Sequence, residues 1–221
     1  MTDTRLPDGS PRPPSSSPSA AGFVREATAA DLDAIGRVHG AAMLASLRAA
    51  YTDAHDAPLP AGVEAMMAAP VIAAGWEQAV VAPPSPAHRV LVAVDEGGEV
   101  AGLIGVAPSP EGTDATRAAG ETSRVGDDAA ANPALTSERG LEITAIGVTP
   151  EQQRRGHGSR LLAAATDQAR AQGAEVLLVW AVRGDESLAG FLHGAGLTRT
   201  ESFRRLPVGQ GVIEDCWAAV L

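Results

Sequence analysis

Between residues 141 and 173 a strand-patterned run, a glycine-bearing loop and a helix-patterned run follow one another. This succession limits the chain to folds that set a helix N-terminus beside a strand end. Leu141, Ile143 and Ala145 alternate with Glu142, Thr144 and Ile146, the period of a strand, and the run stops at Val148-Thr149-Pro150. A helix is predicted from about Gly156, because Leu161, Leu162, Ala165 and Ala169 recur at helical spacing and Gly173 supplies a stop. The connecting loop reads Gln153-Arg154-Arg155-Gly156-His157-Gly158. Gly156 and Gly158 lack the side chains that would hold an anion away from backbone N–H groups. The N–H groups of residues 155–159, Ser159 included, then lie at the positive end of the helix dipole, and Arg154 and Arg155 add charge at the mouth. The site predicted is one for a pyrophosphate. A bare Gly-x-Gly also fits an ordinary strand-turn-helix corner, so the flanking elements carry the reading.

The remaining pattern completes an α/β chain. Phe23 to Ala27 reads as a first strand, and Thr28 with Asp31 as a helix start. That helix would bury Leu32, Ile35, Val38, Ala42 and Leu47 before ending near Tyr51. Residues 63–81 read as a second helical region broken near Pro70. His88–Val94 and Glu99–Val106 form a predicted hairpin through Asp95-Glu96-Gly97-Gly98. Glu175–Val182 reads as a buried strand and Glu186–Gly194 as a short helix, and two runs near 197–205 and 212–220 read as a closing hairpin. The expectation is a mixed, mostly antiparallel sheet of about seven strands with helices on both faces, in a single domain over residues 23–221. Residues 1–22, rich in Ser and Pro and without apolar periodicity, are expected to be a disordered tail. The stretch 107–139 is too long for a hairpin connection and is either disordered or a functional lid.

Composition removes several chemistries. All 17 basic residues are arginine. With no lysine, a Walker-type phosphate loop, a Schiff-base lysine and self-acetylation on lysine are impossible. Cys216 is the only cysteine, which excludes an intrachain disulfide and a thiolate metal cluster. Its apolar neighbours Ile213, Trp217 and Val220 mark it as an inert buried thiol. The five histidines show no metal spacing, and no metal is expected. A formal charge of −10 argues against nucleic acid as a partner, and the three tryptophans lack an interleaved basic stripe. No run is long and apolar enough for a bilayer and the N-terminus has no signal-peptide h-region, so a cytoplasmic location is expected. A monomer or a homodimer is expected, the apolar run Ile213–Val220 offering a dimer edge.

Gln153-x-x-Gly156-x-Gly158, with the strand before it and the helix after it, resembles the acyl-CoA signature of the Gcn5-related N-acetyltransferases, the GNAT superfamily. Gly184-Asp185-Glu186-Ser187 ahead of Phe191-Leu192 and Gly196-Leu197 resembles a later segment of that family. The resemblance follows element order over residues 23–221, with specific motifs confined to about 140–197. It implies acetyl-CoA as cosubstrate and a splay between strands 141–148 and 175–182. The pantetheine arm would enter there, near Ile146 and Val148, and the pyrophosphate would meet residues 155–159. It also implies a contact between the cofactor and Asp185, which stands where the family commonly has asparagine.

The reaction implied is direct attack of an amine, on a small molecule or a protein N-terminus, on the acetyl thioester. That attack needs a base, because alkyl amines are protonated at neutral pH. Glu142 is the candidate, occupying a position where many members carry a carboxylate; Thr144 would face the same side and orient a water. The tyrosine that often protonates the departing thiolate has Leu192 at the aligned position. His193 is adjacent but points about 100° away from that position, so the proton comes from His193 or from solvent. Tyr51 is read as packing or as reaching the acceptor pocket, and His157 as exposing its ring at the loop or contacting a phosphate. A non-catalytic acyl-CoA-binding or sensing domain is the alternative, distinguished from an enzyme by turnover.

Overall fold

The computed structural model describes residues 22–109, 139–207 and 211–221. The expected tail, and the 107–139 stretch beyond Ser109, lie outside the described residues. The elements run β1 (Phe23–Glu26), α1 (Leu32–His55), α2 (Ala61–Met66), α3 (Ala69–Val81), β2 (Arg89–Val94), β3 (Val100–Pro108) and β4 (Gly140–Val148). They continue with α4 (His157–Ala171), β5 (Val176–Val182), α5 (Glu186–Gly194), β6 (Thr198–Arg205) and β7 (Ile213–Val220).

The seven strands form one sheet in the order β1-β2-β3-β4-β5-β7-β6. Every pairing is antiparallel except β4 with β5. That parallel pair needs a crossover, which α4 provides. Strand alternation then divides the core between two faces. Leu91, Ala93, Ile104, Leu141, Ile143, Leu177 and Val179 pack with Leu161, Leu162, Ala165 and Ala169 of α4 and with Leu192 of α5. Val90, Val92, Val94 and Leu103 pack on the opposite side with Ile35 and Val38 of α1 and with Trp76, Ala79 and Val80 of α3. Both periods visible in the sequence are thus satisfied against one another.

Local signals act largely as expected. In the short 3-10 turn Ala29–Asp31 that leads into α1, Thr28 and Asp31 form a reciprocal capping box. The Arg25 fork grips the Asp31 carboxylate at 2.7 and 2.8 Å. In the β2–β3 turn, Asp95 Oδ1 accepts from the N–H groups of Gly97 and Glu99 at 2.8 and 2.9 Å. Two boundaries differ. α1 runs one turn past Tyr51, to a left-handed Asp56. The second helical region breaks at Met67–Ala68, not at Pro70. Pro70 instead lies in the first turn of α3, where its missing N–H costs nothing.

Candidate active site

The site begins with a failure of pairing. β4 and β5 are in register only from Gly140–Val176 to Ile143–Val179. Past that point each strand follows its other neighbour. β5 stays paired with β7 as far as Val182–Glu214, while β4 stays paired with β3 as far as Val148–Gly102. A bulge at Thr144 assists, since Gly105 opposes Ala145 whereas Val106 opposes Ile143. Bulges add local twist and bend the strand that carries them. The result is a V-shaped opening in which β4, from Thr144 to Val148, has no strand partner on its β5 side. Ile146 and Val148 both lie on this free edge.

Helix α1 lies across the opening. A Cβ on Gly147 would sit 3.0 Å from Ala42 Cβ, and one on Gly184, past the end of β5, would sit 3.3 Å from Ala50 Cα. The eight-residue step from Ala42 to Ala50 covers about 12 Å of helix. Paired strands are only about 5 Å apart, so the V is wide enough at this level to admit an extended chain. Ser46 Oγ, midway along the span, donates to Asp185 Oδ2. Beside this bridge is an open cavity of about 570 Å³ lined by Arg48, Ala49, Thr52, Asp53, Gly184 and Glu186.

At the far end of β4 the chain makes a tight anion-attracting turn. The Gln153 amide donates to Val148 O at 3.4 Å, holding the loop against the strand end. Arg154 (φ 61°) and Gly156 (φ 80°) are left-handed. Gly156 is the N-cap of α4 and supplies no side-chain acceptor, so the N–H groups of its first turn are left for another partner. Arg154, Arg155 and Ser159 are exposed around it. Gly158 packs close to Phe191, to which an added Cβ would lie 3.4 Å away, so part of its role is helix packing.

Two of the expected site residues occupy different surroundings from those anticipated. His157 does not expose its ring: it is 4% exposed and lies 3.1 Å, through Nδ1, from Arg160 Nη2. Burial, together with the Arg160 and Arg155 cations, holds its pKa below the ordinary histidine value, although Asp95 pulls the other way. Asp185 caps α5 by accepting from Leu188 N at 2.9 Å, while its other oxygen takes the Ser46 bond. Its carboxylate is therefore engaged within the fold. Arg160, which the sequence reading passed over, places a terminal nitrogen 3.2 Å from where a Gly156 Cβ would be, and its buried Nε has no partner. The spacing of four residues from Gly156 was the available signal.

Glu142 lies at the base of the V, opposite Leu178. Its side chain is half-buried and has no hydrogen-bond or ion-pair partner among the described residues. Desolvation pushes its pKa above the ordinary carboxylate value, with Arg204 opposing and Glu214 reinforcing the shift. Thr144 is exposed, and its Oγ1 lies 2.7 Å from the Cβ that Gly105 lacks, on the side facing Trp76. Trp76 Nε1 donates to His39 Nδ1 at 2.8 Å. Cys216 is 1% exposed, and burial raises its thiol pKa to about 11, as an inert thiol requires. Leu192 is fully buried, whereas His193 is exposed at the end of α5. Tyr51 packs at the α1 end, its ring 4.3 Å from that of His55. Among the described residues no three His, Cys, Asp or Glu side chains group as a metal site would need, and no helix is long and apolar enough to cross a membrane.

Comparison with known proteins adds a family and a fold. A family model described as the acetyltransferase (GNAT) family matches residues 59–194. A Salmonella typhimurium protein described as an acetyltransferase, solved with its cofactor acetyl-CoA, is 17% identical with a TM-score of 0.51, covering 91% of this chain and 95% of its own. The ribosomal-protein-S18-alanine N-acetyltransferase of Escherichia coli is 13% identical with a TM-score of 0.53, over 90% and 93% of the two chains. A GNAT-family acetyltransferase of Streptococcus pneumoniae is 13% identical with a TM-score of 0.53, over 90% and 99%. At these identities the likeness is one of fold. No curated protein sequence matches.

Proposed function

The chain belongs to the GNAT family of acetyltransferases, and from that premise we propose that it transfers the acetyl group of acetyl-CoA to an amine, on a small molecule or a protein N-terminus, by direct attack of nitrogen on the thioester. The residues present suit this donor. Gly156 opens the first turn of α4 with free N–H groups, and Arg154, Arg155 and Arg160 lie around it. With His157, Gly158 and Ser159 they would hold the pyrophosphate. Gln153 keeps that loop against the strand end, so Ile146 and Val148 can offer backbone groups to an extended arm in the V. Asp185 acts by fixing the start of α5 beside the opening. When bound, acetyl-CoA supplies an activated acyl group with a thiolate leaving group.

The observation that carries the reading is the Glu142 carboxylate, unpartnered and half-buried where β4 and β5 part. It takes one proton from the acceptor ammonium, directly or through a water held by Thr144, so that the neutral amine attacks. The new N–C bond forms as the C–S bond breaks, the bonding pair leaves on sulfur, the second nitrogen proton passes to solvent to give the amide, and solvent protonates the thiolate. Leu192, sealed in the core, has no part in that last step. The test is release of CoA thiol across a panel of amines, amino acids, polyamines, antibiotics and peptide N-termini, with a no-acceptor control. Acceptor-dependent release that falls at least about a hundredfold in Glu142→Gln is expected. Tight acetyl-CoA binding without release would leave a sensing domain in its place.

A further inference from the structure

On the sheet face that carries Glu142, the Arg204 guanidinium lies over the Trp180 ring, 4.6 Å from its centroid. Arg204 Nε donates to Glu214 Oε2 at 2.6 Å. Strand order explains why these residues meet. β7 lies between β5 and β6, with Trp180 opposite Cys216 and Glu214 opposite both Val182 and Arg204. Leu178, the register partner of Glu142, is two residues before Trp180 and therefore faces the same side. Arg204 keeps 37% of its side chain exposed and Glu214 keeps 13%. Apart from the Nε bond to Glu214, Arg204 makes no hydrogen bond among the described residues.

Arginine–carboxylate pairs are frequently bidentate, as Arg183 is with Asp215 through Nε and Nη2. Arg204 engages through Nε alone. The Trp180 contact and the Glu214 bond restrain the side chain, so less freedom is lost when its terminal N–H groups bind. We propose that Arg204 is a specificity-determining residue of the acceptor site, receiving a carboxylate borne by the acceptor. The favoured acceptors are then amines with a carboxylate close to the reacting nitrogen, the chemistry of an α-amino acid. This rests on the transfer reading of the same site.

The charges are arranged for such a zwitterion. Arg204 and Glu214 neutralise one another, which leaves Glu142 as a carboxylate without a hydrogen-bond or ion-pair partner among the described residues. An ammonium directed to Glu142 and a carboxylate directed to Arg204 would each meet its opposite charge. The strand positions of Glu142 and Trp180 are about 8 Å apart, from one inter-strand spacing and a two-residue rise. Glu142 and Arg204 therefore stand over one part of the face, where the Arg204 charge bears on Glu142. A polycation would carry a second positive charge to Arg204.

The experiment measures CoA-thiol release at saturating acetyl-CoA for α-amino acids, each matched with its carboxamide and its decarboxylated amine, and for spermidine. Calorimetry of the same compounds with the CoA-loaded protein runs alongside. The expected result is a kcat/KM for the acids at least about tenfold above that of the amides. Arg204→Gln should erase the preference, the acids losing at least about tenfold more kcat/KM than their amides, with the larger part of that difference in KM. Arg204→Lys, with charge but no fork, should retain part of it, and urea unfolding would check that both variants are folded. Equal use of acids and amides, preference for spermidine, or an equal loss on every acceptor in Arg204→Gln would overturn the inference while leaving the transfer reading intact. If no compound releases thiol but the acids bind and lose binding in Arg204→Gln, the transfer reading fails and the recognition stands. Acids that neither bind nor release thiol would overturn the inference.

Discussion

Ser46 Oγ donates to Asp185 Oδ2, joining the middle of α1 to the first turn of α5 across the opening between β4 and β5. The two residues are 139 apart in sequence, so the bond ties together segments that only the folded sheet brings near. Asp185 does two jobs, because its other oxygen caps α5 through Leu188 N. Ser46→Ala should therefore cost about 1 kcal/mol, and Asp185→Ala about 2 kcal/mol, since the latter loses the cap as well. A double-mutant cycle by urea unfolding should return a coupling near the Ser46 value. A cycle with no coupling would show that the bridge contributes nothing.

Gly156 is constrained by backbone as well as by space. Its φ of 80° is costly for any residue with a Cβ, and a Cβ there would press on Arg160. Gly156→Ala is expected to destabilise by about 1–2 kcal/mol and to weaken acetyl-CoA binding, read by calorimetry on the folded fraction. Gly156→Val should be worse on both counts. Full affinity in folded Gly156→Ala would show that the first turn of α4 does not hold the donor.

Glu142 links pH to both rate and stability. Its pKa is raised by burial, so the base is lost on acidification at a pH above the ordinary carboxylate range. The kcat/KM profile should show that acidic limb, and Glu142→Gln should abolish it. For stability the sign is opposite. A raised carboxylate pKa means the native state holds the proton more tightly than the unfolded chain, so this group stabilises the fold as pH falls through the folded pKa. At neutral pH its burial is a cost, and Glu142→Gln should unfold at higher urea than the wild type. A less stable Glu142→Gln would contradict the desolvated carboxylate.

These tests concern features with different visibility in the sequence. The alternation of residues 141–148, the Asp95-Glu96-Gly97-Gly98 turn and the Gly156 loop are local, and local patterns can be read without knowing strand order. Asp185 was also readable, as an N-cap three residues before Leu188, although the family resemblance directed it toward the cofactor. The Thr144 bulge shifts the phase, so that Ile146 and Val148 pack on the same face as Leu141 and Ile143, whereas the sequence run reads as one unbroken alternation that puts Ile146 with Glu142. The meeting of Trp180, Arg204 and Glu214 depends on β7 inserting between β5 and β6 and on a register shift between Arg199 and Phe203, neither of which has a local signature. His157 and Arg160 differ for another reason: helical spacing pairs them, but only tertiary packing decides that the ring is buried.

The ion pair of Arg25 and Asp31 should dominate acid sensitivity below pH 4. The Arg25 hydrogen bonds, with the Thr28 cap, hold Asp31 at about 2 against an ordinary 3.8. The depressed carboxylate contributes stability above the ordinary value, lost as pH falls toward 2. Arg25 is 38% exposed, and screening reduces the contribution to about 1–2 kcal/mol. Asp31→Asn should lower stability at pH 7 by about that amount and flatten the urea midpoint between pH 4 and pH 2. An unchanged slope in that window would sink the assignment.

His39 governs a separate and higher window. The Trp76 indole N–H points at His39 Nδ1 from 2.8 Å, so Nδ1 must be the unprotonated nitrogen and the neutral ring carries its hydrogen on Nε2. Protonation would put a second hydrogen on Nδ1, facing the indole donor, in a site already penalised by burial. The pKa is accordingly depressed to about 4 from an ordinary 6.5. The unfolded chain takes the proton first as pH falls, so stability should decline from pH 6.5 toward pH 4 and level off below, by up to about 3 kcal/mol. Trp76→Phe removes the donor and should raise the His39 pKa, while lowering stability at pH 7 by about 1–3 kcal/mol. Histidine ring resonances followed by NMR between pH 8 and pH 3.5 would read both the tautomer and the titration. A ring that titrates near 6.5, or that is protonated on Nδ1 in its neutral form, would show that the indole contact does not set its state.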